Sequence, residues 1–439
     1  MSDYRILWMM NKPLPNMSKR LGINDNNKEG WLSGLYMAVK EFAPRLLTKI
    51  AICFPCNTVP EGGENTEALR FEEDGVVYYG IFEDTAHPEY YDECLKKSVQ
   101  YVLDDFKPEL IHIFGTEYAH ATEMAKQAKE RKDKGEKINV IVAMQGVMHK
   151  CAEEYMCFLP EEIYKQKTFR DFIKKDSLVE QQEKFWKRAE FEKETLENVD
   201  YVFGRTKFDN RETKKINHDL TYFHIDEILR EEFFSGEWEE DKCTRHSVFA
   251  SQGNYPLKGI HQAIKALAIV KEKYPDVMLR VAGDNITAYA TIKDKIKISG
   301  YGKFLRELIQ KNGLQDNVEF IGSVDASRMK EEFLKANVFI CPSSVENSPN
   351  SVGEAMLLGV PVVAAYVGGI MDMMEPDTEG LYYDAKSPEE LAERIMQVFE
   401  GGNEMKHRLI NARNRAANTH DRKKNALRLC ELYHKIMEG

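Results

Sequence analysis

One turn in the second half of the chain concentrates residue types that could bind a ligand. The segment SSVENSPNS, residues 343–351, follows an apolar run at Val338–Ile340 and precedes a helical pattern at Val352–Leu358. It contains the carboxylate of Glu346, and Glu354 follows inside the predicted helix. Ser351 and Glu354 also have the spacing of a capping box, in which the glutamate only returns a hydrogen bond to the helix start. Both interpretations, ligand contact and helix cap, remain open from the spacing alone.

A second turn, SQGNYPLKG at residues 251–259, precedes the helical pattern Ile260–Lys273. Lys258 stands at the predicted start of this helix, where its charge opposes the helix dipole. A lysine is favourable there when it meets a bound anion, since free N–H groups, dipole and ammonium then act on one phosphate. Gly259 would permit close approach of the backbone. The turn is therefore a candidate phosphate site, with a solvated lysine as the alternative.

The elements that must position these turns form two series of short apolar runs alternating with helical segments. Continuously apolar runs are typical of strands buried on both faces of a parallel sheet. The sequence therefore predicts an α/β protein with two Rossmann-like, doubly wound domains facing a cleft. The predicted strands are Arg5–Met10, Ile50–Phe54, Gly75–Phe82, Leu110–Phe114, Asn139–Met144 and Tyr201–Gly204, the last of the first half, then His246–Ala250, Met278–Ala282, Val318–Ile321, Val338–Ile340 and Val360–Ala364.

The predicted domains are residues 1–235 and 244–405, joined by the charged and irregular stretch LREEFFSGEWEEDKCT at 229–244. The helical C-terminal segment, 410–439, follows the last strand of the second sheet and is expected to pack on the first domain.

Ligands of such sheets bind at the carboxyl ends of the strands, so the strand-to-helix turns of the first domain also supply candidates. Each has an ordinary packing role as its alternative. The candidates are Gly30 before the helix Trp31–Phe42, Glu117 and His120 after Leu110–Phe114, Gln145 and His149 after Asn139–Met144, and Arg205 after Tyr201–Gly204.

Composition excludes several classes of protein. The 439 residues carry 61 Lys and Arg against 72 Asp and Glu, a net charge of -11, which argues against binding nucleic acid over a broad surface. Eight cysteines give no disulfide framework, and we find no secretory signal or long apolar run, so a cytoplasmic location is expected. The basic segment Tyr164–Arg188 is either a solvated helix face or a surface for an anionic, lipid-linked substrate, with peripheral contact at the inner membrane face.

The two turns resemble the signature of retaining GT-B glycosyltransferases, in particular glycosyltransferase family 4, the glycosyl transferases group 1. Glu346 and Glu354 match the E-x7-E motif, within the similar text CPSSVENSPNSVGEAMLLGVPVVAAYVGG, and Lys258-Gly259 matches the K-G turn. The resemblance is strong over about residues 246–400 and weaker over the first half.

The resemblance implies a role for each matching residue. Glu354 would accept hydrogen bonds from the nucleotide ribose, Glu346 would lie beside the donor sugar, and Lys258 would neutralise the leaving diphosphate. Glu117 or His120 would contact the sugar or the acceptor hydroxyl. Further donor contacts would come from Gly30, Gly259 and the backbone of Asn347, Ser348, Asn350 and Ser351. With no Asp-x-Asp pair in the chain, we expect no metal and no other cofactor.

One departure from the family pattern concerns the diphosphate. The family usually carries an arginine a few residues before the lysine, but this chain has Ser251-Gln-Gly-Asn254 there. Either Gln252 and backbone N–H groups of the turn, which includes Gly253, replace that cation, or Arg205 does.

The predicted function is retaining transfer of a hexose-type sugar from a nucleotide-diphosphate sugar to the hydroxyl of a glycan or lipid-linked acceptor, in surface glycan or exopolysaccharide assembly. The alternatives are a nucleotide-sugar 2-epimerase or phosphorylase of the same fold, and a non-catalytic subunit that binds a nucleotide sugar or glycan.

Overall fold

The computed structural model of the protein describes residues 4–23, 30–57 and 67–438. Residues 24–29 of the loop predicted before Gly30 lie outside these ranges. The chain divides into two compact units: unit 1 contains Met1–His149, Phe185–Leu229 and His420–Gly439, and unit 2 contains Lys150–Lys184 and Arg230–Thr419. The predicted first domain, 1–235, thus differs from unit 1, because residues 150–184 are grouped with the second half.

The described residues of unit 1 form a sheet of eight strands. In spatial order these are β3, β4, β2, β1, β5, β6, β7 and β8, and all neighbours are parallel except β3 and β4. The strands are β1 (Ile6–Met9), β2 (Ile50–Cys56), β3 (Ala68–Glu73), β4 (Val76–Phe82), β5 (Leu110–Phe114), β6 (Asn139–Ala143), β7 (Tyr201–Gly204) and β8 (Thr221–His224).

The helices of the described chain up to residue 229 lie in unit 1, apart from those of the segment 150–184, which is grouped with unit 2. They are α1 (Pro15–Arg20), α2 (Gly30–Phe42), α3 (Pro44–Leu47), α4 (Cys94–Phe106), α5 (Ala119–Asp133), α6 (Met148–Glu153), α7 (Glu161–Tyr164), α8 (Phe169–Lys174), α9 (Leu178–Glu197) and α10 (Lys207–Ile216).

Two strands of this sheet were missed by the sequence analysis. The prediction that Tyr201–Gly204 is the last strand of the first half is wrong, since β8 pairs with β7 in parallel at the sheet edge. Strand β3 was missed although Asp74 and Gly75, both with positive φ, form a two-residue turn into β4. An Asp-Gly pair between strands is a strong hairpin signal. Edge strands carry weaker apolar patterns than central ones, which is why both escaped the periodicity argument.

The C-terminal helix α18 (Arg422–Glu438) belongs to unit 1 and completes its core. It packs against α2 and places the Tyr433 ring among buried side chains. There the indole N–H of Trp8 donates to the Tyr433 hydroxyl over 2.9 Å, and that hydroxyl bonds to Nδ1 of His112 at 2.6 Å. His112 is therefore a core residue, and burial lowers its pKa to about 3.

Unit 2 contains a parallel sheet of six strands in the spatial order β11, β10, β9, β12, β13, β14. The order reverses between β9 and β12, which pair through Val338 with Val248 and Phe339 with Phe249. In a doubly wound sheet this reversal point is where ligands bind. The strands are β9 (Ser247–Ala250), β10 (Met278–Val281), β11 (Val318–Phe320), β12 (Val338–Cys341), β13 (Val362–Ala365) and β14 (Leu381–Tyr383).

The predicted C-terminal helical segment, 410–439, is two helices, and its first part, up to Thr419, is grouped with unit 2 rather than unit 1. The helices of unit 2 beyond residue 229 also include α12, which the apolar periodicity did not predict. They are α11 (Ile260–Lys273), α12 (Ile292–Lys297), α13 (Gly300–Lys311), α14 (Ala326–Lys335), α15 (Asn350–Leu358), α16 (Pro388–Glu400) and α17 (Asn403–Thr419). Within the described residues, we find no helix with both the length and the apolar character needed to cross a bilayer.

Candidate functional site

The two turns singled out in the sequence are neighbours because β9 pairs with β12. The backbone N–H of Ser344 donates to the carbonyl of Leu257 over 2.9 Å, which joins the turn after β12 to the turn after β9. Both turns lie at the carboxyl ends of the two strands where the sheet order reverses. The sheet topology therefore brings Lys258 and Glu346 to one place.

Gly259 sets the distance between these turns. Its φ of +67° is in the left-handed region, and a Cβ at this position would lie 1.7 Å from the carbonyl oxygen of Pro342. Both the backbone conformation and the space therefore require glycine. The close approach that the sequence suggested for Gly259 is made to the neighbouring turn.

Lys258 and Glu346 form an ion pair, with Nζ and Oε1 2.5 Å apart. The hydroxyl of Ser343 donates to the same carboxylate oxygen over 2.8 Å. Burial disfavours the lysine charge, but the Glu346 carboxylate outweighs it and raises the pKa of Lys258. A fixed, permanently charged ammonium therefore stands at this edge of the sheet.

The backbone of Glu346 is fixed by the two glycines after β13. Gly369 donates its N–H to the Glu346 carbonyl over 2.9 Å. Gly368 has a φ of +52°, and a Cβ there would lie 2.0 Å from that carbonyl oxygen. The Gly368-Gly369 pair of the family-like text thus positions Glu346.

The two helices that start at these turns have no side-chain caps. Helix α11 has Gly259 as its N-cap, and α15 has Pro349. By contrast α8, α10 and α12 each carry a complete capping box. The first N–H groups of a helix need an acceptor from outside, and an anion can supply it. The ammonium of Lys258 lies at the same edge, so the arrangement can bind a phosphate group.

The capping-box interpretation of Glu354 is wrong. Helix α15 begins at Asn350, so Ser351 is already helical and the Pro349 position makes no side-chain cap. The carboxylate of Glu354 instead receives two hydrogen bonds from Arg230, from Nε and Nη2, each 2.8 Å long. Arg230, which the sequence analysis did not select, is therefore a cation at this site. Arg230 lies in the charged stretch 229–244, which the sequence analysis interpreted only as the linker between the two domains. No motif around Arg230 therefore indicated a functional role.

The other donor candidates of unit 2 line the same two turns. Gln252 is exposed, whereas Gly253 is buried. A Cβ added at Gly253 would lie 2.6 Å from the side chain of Val281 and 2.8 Å from that of Ile260. A larger side chain does not fit at position 253 without rearrangement. Asn347 is buried, and Ser348, Asn350 and Ser351 are half-buried at the start of α15.

In unit 1, the candidates Glu117 and His120 follow β5, beside β1, where that sheet order also reverses. His120 is buried, with Nδ1 2.6 Å from Oε2 of Glu83 and Nε2 3.2 Å from Oδ1 of Asn11. Glu117 receives a hydrogen bond from Arg188 over 3.2 Å. The two side chains thus belong to a buried polar cluster.

Arg205 is held by several acceptors within unit 1. It forms an ion pair with Glu227 and donates to the carbonyls of Met144 and Gln145 over 2.8 and 3.0 Å. These bonds direct its guanidinium to unit 1 groups, so we favour Arg230 over Arg205 as the additional cation. Gly30 is the first residue of α2, and the adjacent Trp31 ring packs 5.8 Å from that of Phe114.

His149 lies between two buried carboxylates of unit 1. Its Nδ1 is 2.9 Å from Glu192 and its Nε2 3.3 Å from Glu212. Burial lowers the histidine pKa, but hydrogen bonding and attraction from Glu192 and Glu212 raise it above 6.5 overall. In the described ranges no three His, Cys, Asp or Glu side chains are grouped to hold a metal ion. A metal-independent reaction remains a prediction.

The segment that contains the two turns is similar to a known protein family. Residues 235–415 match the family model described as glycosyl transferases group 1. The match covers less than half of the chain.

Curated relatives match part of the chain. An uncharacterized glycosyltransferase of Methanocaldococcus jannaschii is 27% identical over 172 residues, 37% of this chain and 40% of that protein. A protein of Escherichia coli K12 described as a colanic acid biosynthesis glycosyltransferase, WcaL, is 30% identical over 144 residues, 31% of this chain and 32% of that protein. The matches therefore span well under two thirds of the relatives' length.

Solved structures share the fold over nearly the whole chain. The structure of HepE from Anabaena, solved with UDP-glucose, matches with a TM-score of 0.62 at 14% identity, covering 98% of this chain and all of HepE. The chain has the GT-B fold, as the sequence predicted.

The first prediction concerns the glycine between the two turns of the glycosyl transferases group 1 segment. Gly259→Ala must push the turns apart, since its Cβ would lie 1.7 Å from the Pro342 oxygen. Gly359→Ala is the matched control, with a φ of +76° and no neighbour within 4 Å. We expect Gly359→Ala to lower the free energy of unfolding by about 1–2 kcal/mol. Gly259→Ala should cost about 1–3 kcal/mol more, from overpacking. Equal costs in urea unfolding would show that the close contact is unimportant.

The second prediction concerns His149. Because its folded pKa is raised above 6.5, its contribution to stability is complete below pH 6.5 and disappears as pH rises through the folded value. We expect His149→Gln to lose most stability near pH 5.5 and progressively less toward pH 9, in urea unfolding at several pH values. The control is the exposed His218→Gln, which should follow the wild-type profile. A loss that is independent of pH would contradict the charged state of His149.

Proposed function

We propose that this chain is a retaining, metal-independent glycosyltransferase that moves a hexose-type sugar from a nucleotide-diphosphate sugar to an acceptor hydroxyl. The family of residues 235–415 supports transfer, and the UDP-glucose complex of HepE, which shares the fold, supports a nucleotide-sugar donor. The observation that carries the proposal is the Lys258–Glu346 pair at the starts of two helices without side-chain caps.

The leaving group explains the positive charge. When the bond between C1 of the sugar and the phosphate oxygen breaks, negative charge accumulates on the diphosphate while the sugar becomes oxocarbenium-like. Fixed donors that face the leaving group lower this barrier most effectively. Lys258 and the first N–H groups of α11 and α15 would supply those donors.

Glu346 has two roles in this proposal. Without a donor it neutralises Lys258, so the half-buried ammonium is not left without a counter-charge. When a donor binds, the diphosphate replaces Glu346 as the ion-pair partner of Lys258. The Glu346 carboxylate then lies beside the sugar ring, where it can stabilise the positive charge that develops. The acceptor oxygen then bonds to C1 on the face that the phosphate leaves, and its proton passes to the departing phosphate oxygen. No separate general base is needed.

Arg230 and Glu354 would bind the rest of the donor. Ribose hydroxyls can donate to the Glu354 carboxylate, as the family resemblance implies, in exchange for one or both hydrogen bonds from Arg230. A guanidinium released in this way can contact the diphosphate through its planar fork. Arg230 would thus supply the cation that the turn at Ser251–Asn254 lacks.

The acceptor is proposed to be a glycan or lipid-linked intermediate of surface polysaccharide assembly, located in the cytoplasm or at the inner membrane face. The description of WcaL as a colanic acid biosynthesis enzyme supports this class, although it applies to that protein.

The third prediction tests the reaction and its cation together. We expect one of UDP-, GDP- or ADP-sugars to stabilise the protein in a thermal-shift panel, and NMR of the product to show the donor's anomeric configuration. Lys258→Met should weaken binding of the nucleoside diphosphate roughly 10- to 150-fold, as expected for a lost charged hydrogen bond of about 1.5–3 kcal/mol. Lys271→Met, at the exposed end of α11, should leave it unchanged.

Other results would reject the proposal. A sugar epimer released without any acceptor would indicate the 2-epimerase, and phosphate-dependent cleavage a phosphorylase. Nucleotide-sugar binding without transfer to a broad panel of acceptors would indicate a non-catalytic subunit.

The fourth prediction tests whether Glu354 contacts the ribose, and it measures ligand affinity rather than protein stability. The wild type should bind the nucleoside diphosphate about tenfold more tightly than its 2′-deoxy analogue. Glu354→Gln, which retains one oxygen for Arg230, should lose most of this discrimination because a charged acceptor is replaced by a neutral one. Titration calorimetry of both ligands with both proteins measures the coupling. Unchanged discrimination would make the Arg230–Glu354 pair purely structural.

A further inference from the structure

Two short helices of unit 2 carry the most exposed large apolar side chains of the described chain. Phe169, Phe172 and Ile173 on α8 are 65%, 73% and 62% exposed, and Ile292 on α12 is 78% exposed. No other large apolar residue in the described ranges reaches these values. A concentration of exposed apolar groups indicates an interaction surface, whereas scattered ones do not.

The orientation of α8 is fixed by its opposite side. Phe169, Phe172 and Ile173 have the i, i+3, i+4 spacing of one helix face. Asp171 is fully buried, closes the capping box with Thr168, and accepts a hydrogen bond from the N–H of Gly300 over 2.8 Å. The apolar face therefore cannot turn inward without breaking these bonds.

Helix α12 lies against α8 and has no buried residue. Ile292 and Ile296 are four residues apart, on one face, and both are exposed. The bond from Gly300 to Asp171 ties the chain just after α12 to α8. We call residues 165–175 and 291–297 together the α8–α12 surface.

This surface is basic, although the chain has a net charge of -11. Its two acidic residues, Asp171 and Asp294, are each used in the capping box of their own helix. Lys174, Lys175 and Lys293 are exposed beside the apolar side chains. The remaining basic residues of the surface are Lys165, Lys167, Arg170, Lys295 and Lys297.

Nearby carboxylates neutralise only part of this charge. Glu180 pairs with Lys167 at 3.2 Å, and Asp176 pairs with Arg170 at 2.8 Å. Both acids thus pair with basic residues at the N-terminal end of α8. The excess of positive charge therefore remains next to the exposed phenylalanines and isoleucines.

We propose that the α8–α12 surface docks on an anionic lipid bilayer. Aromatic and aliphatic side chains can enter the headgroup region, while surrounding lysines contact lipid phosphates. A symmetric dimer that met through this surface would bring the lysines of one copy against those of the other, and like charges repel. The proposal goes beyond the transfer reaction and does not depend on it.

The fifth prediction tests this docking with the full-length protein and sedimented vesicles. We expect binding to vesicles of phosphatidylcholine with 40% phosphatidylglycerol, little binding to phosphatidylcholine alone, and weakening by salt. The apolar variant Phe172→Ser/Ile292→Ser and the charge variant Lys174→Glu/Lys293→Glu should each bind at least tenfold more weakly. Ile410→Ser and Lys424→Glu, exposed residues on α17 and α18, are the matched controls and should bind as the wild type does.

Circular dichroism and nucleotide affinity of each variant separate lost docking from misfolding, since the variants lie outside the donor site. Absence of vesicle binding by the wild type would overturn the proposal, as would equal binding by the apolar variant. Self-association that Phe172→Ser/Ile292→Ser abolishes, without vesicle binding, would also overturn it and assign the surface to a second copy of the chain.

Discussion

The candidate site of unit 2 depends on one ion pair, between Lys258 and Glu346. The ammonium is drawn out of bulk water and is stabilised by a carboxylate 2.5 Å away. Taking a charge out of water is costly unless it is paired. The pair therefore stabilises a positive charge at the edge of the sheet. It also links two turns that are distant in sequence.

Glycines provide the geometry for this pair. Gly259 allows one turn to pass against Pro342, and Gly368 and Gly369 close around the carbonyl of Glu346. Both contacts are made by the backbone, and they position the side chains of Lys258 and Glu346. The starts of α11 and α15 complete the arrangement, because neither N-cap residue, Gly259 or Pro349, makes a side-chain cap.

Much of the fold followed from the sequence, because the central strands are continuously apolar and such runs have few alternatives. Strands β3 and β8 were missed because these edge strands are partly exposed and their patterns are mixed, and β14 was missed because three residues are too few to show a pattern. Lys258 and Glu346 could be selected because each stands in a strand-to-helix turn. Arg230 could not, since its role depends on a contact with Glu354, 124 positions further along the chain. The capping-box interpretation of Glu354 failed because Ser-x-x-Glu spacing does not fix where a helix begins, and α15 begins at Asn350, two residues before the predicted Val352.

The central claim is that Glu346 pairs with Lys258 until a diphosphate binds to the lysine in its place. The affinity of the Glu346→Gln variant for free nucleoside diphosphate tests this claim most directly. The substitution retains an oxygen for Ser343 but removes the competing negative charge. Titration calorimetry should show affinity equal to or higher than that of the wild type. Affinity reduced tenfold or more, in a variant that unfolds at the wild-type temperature, would contradict the account.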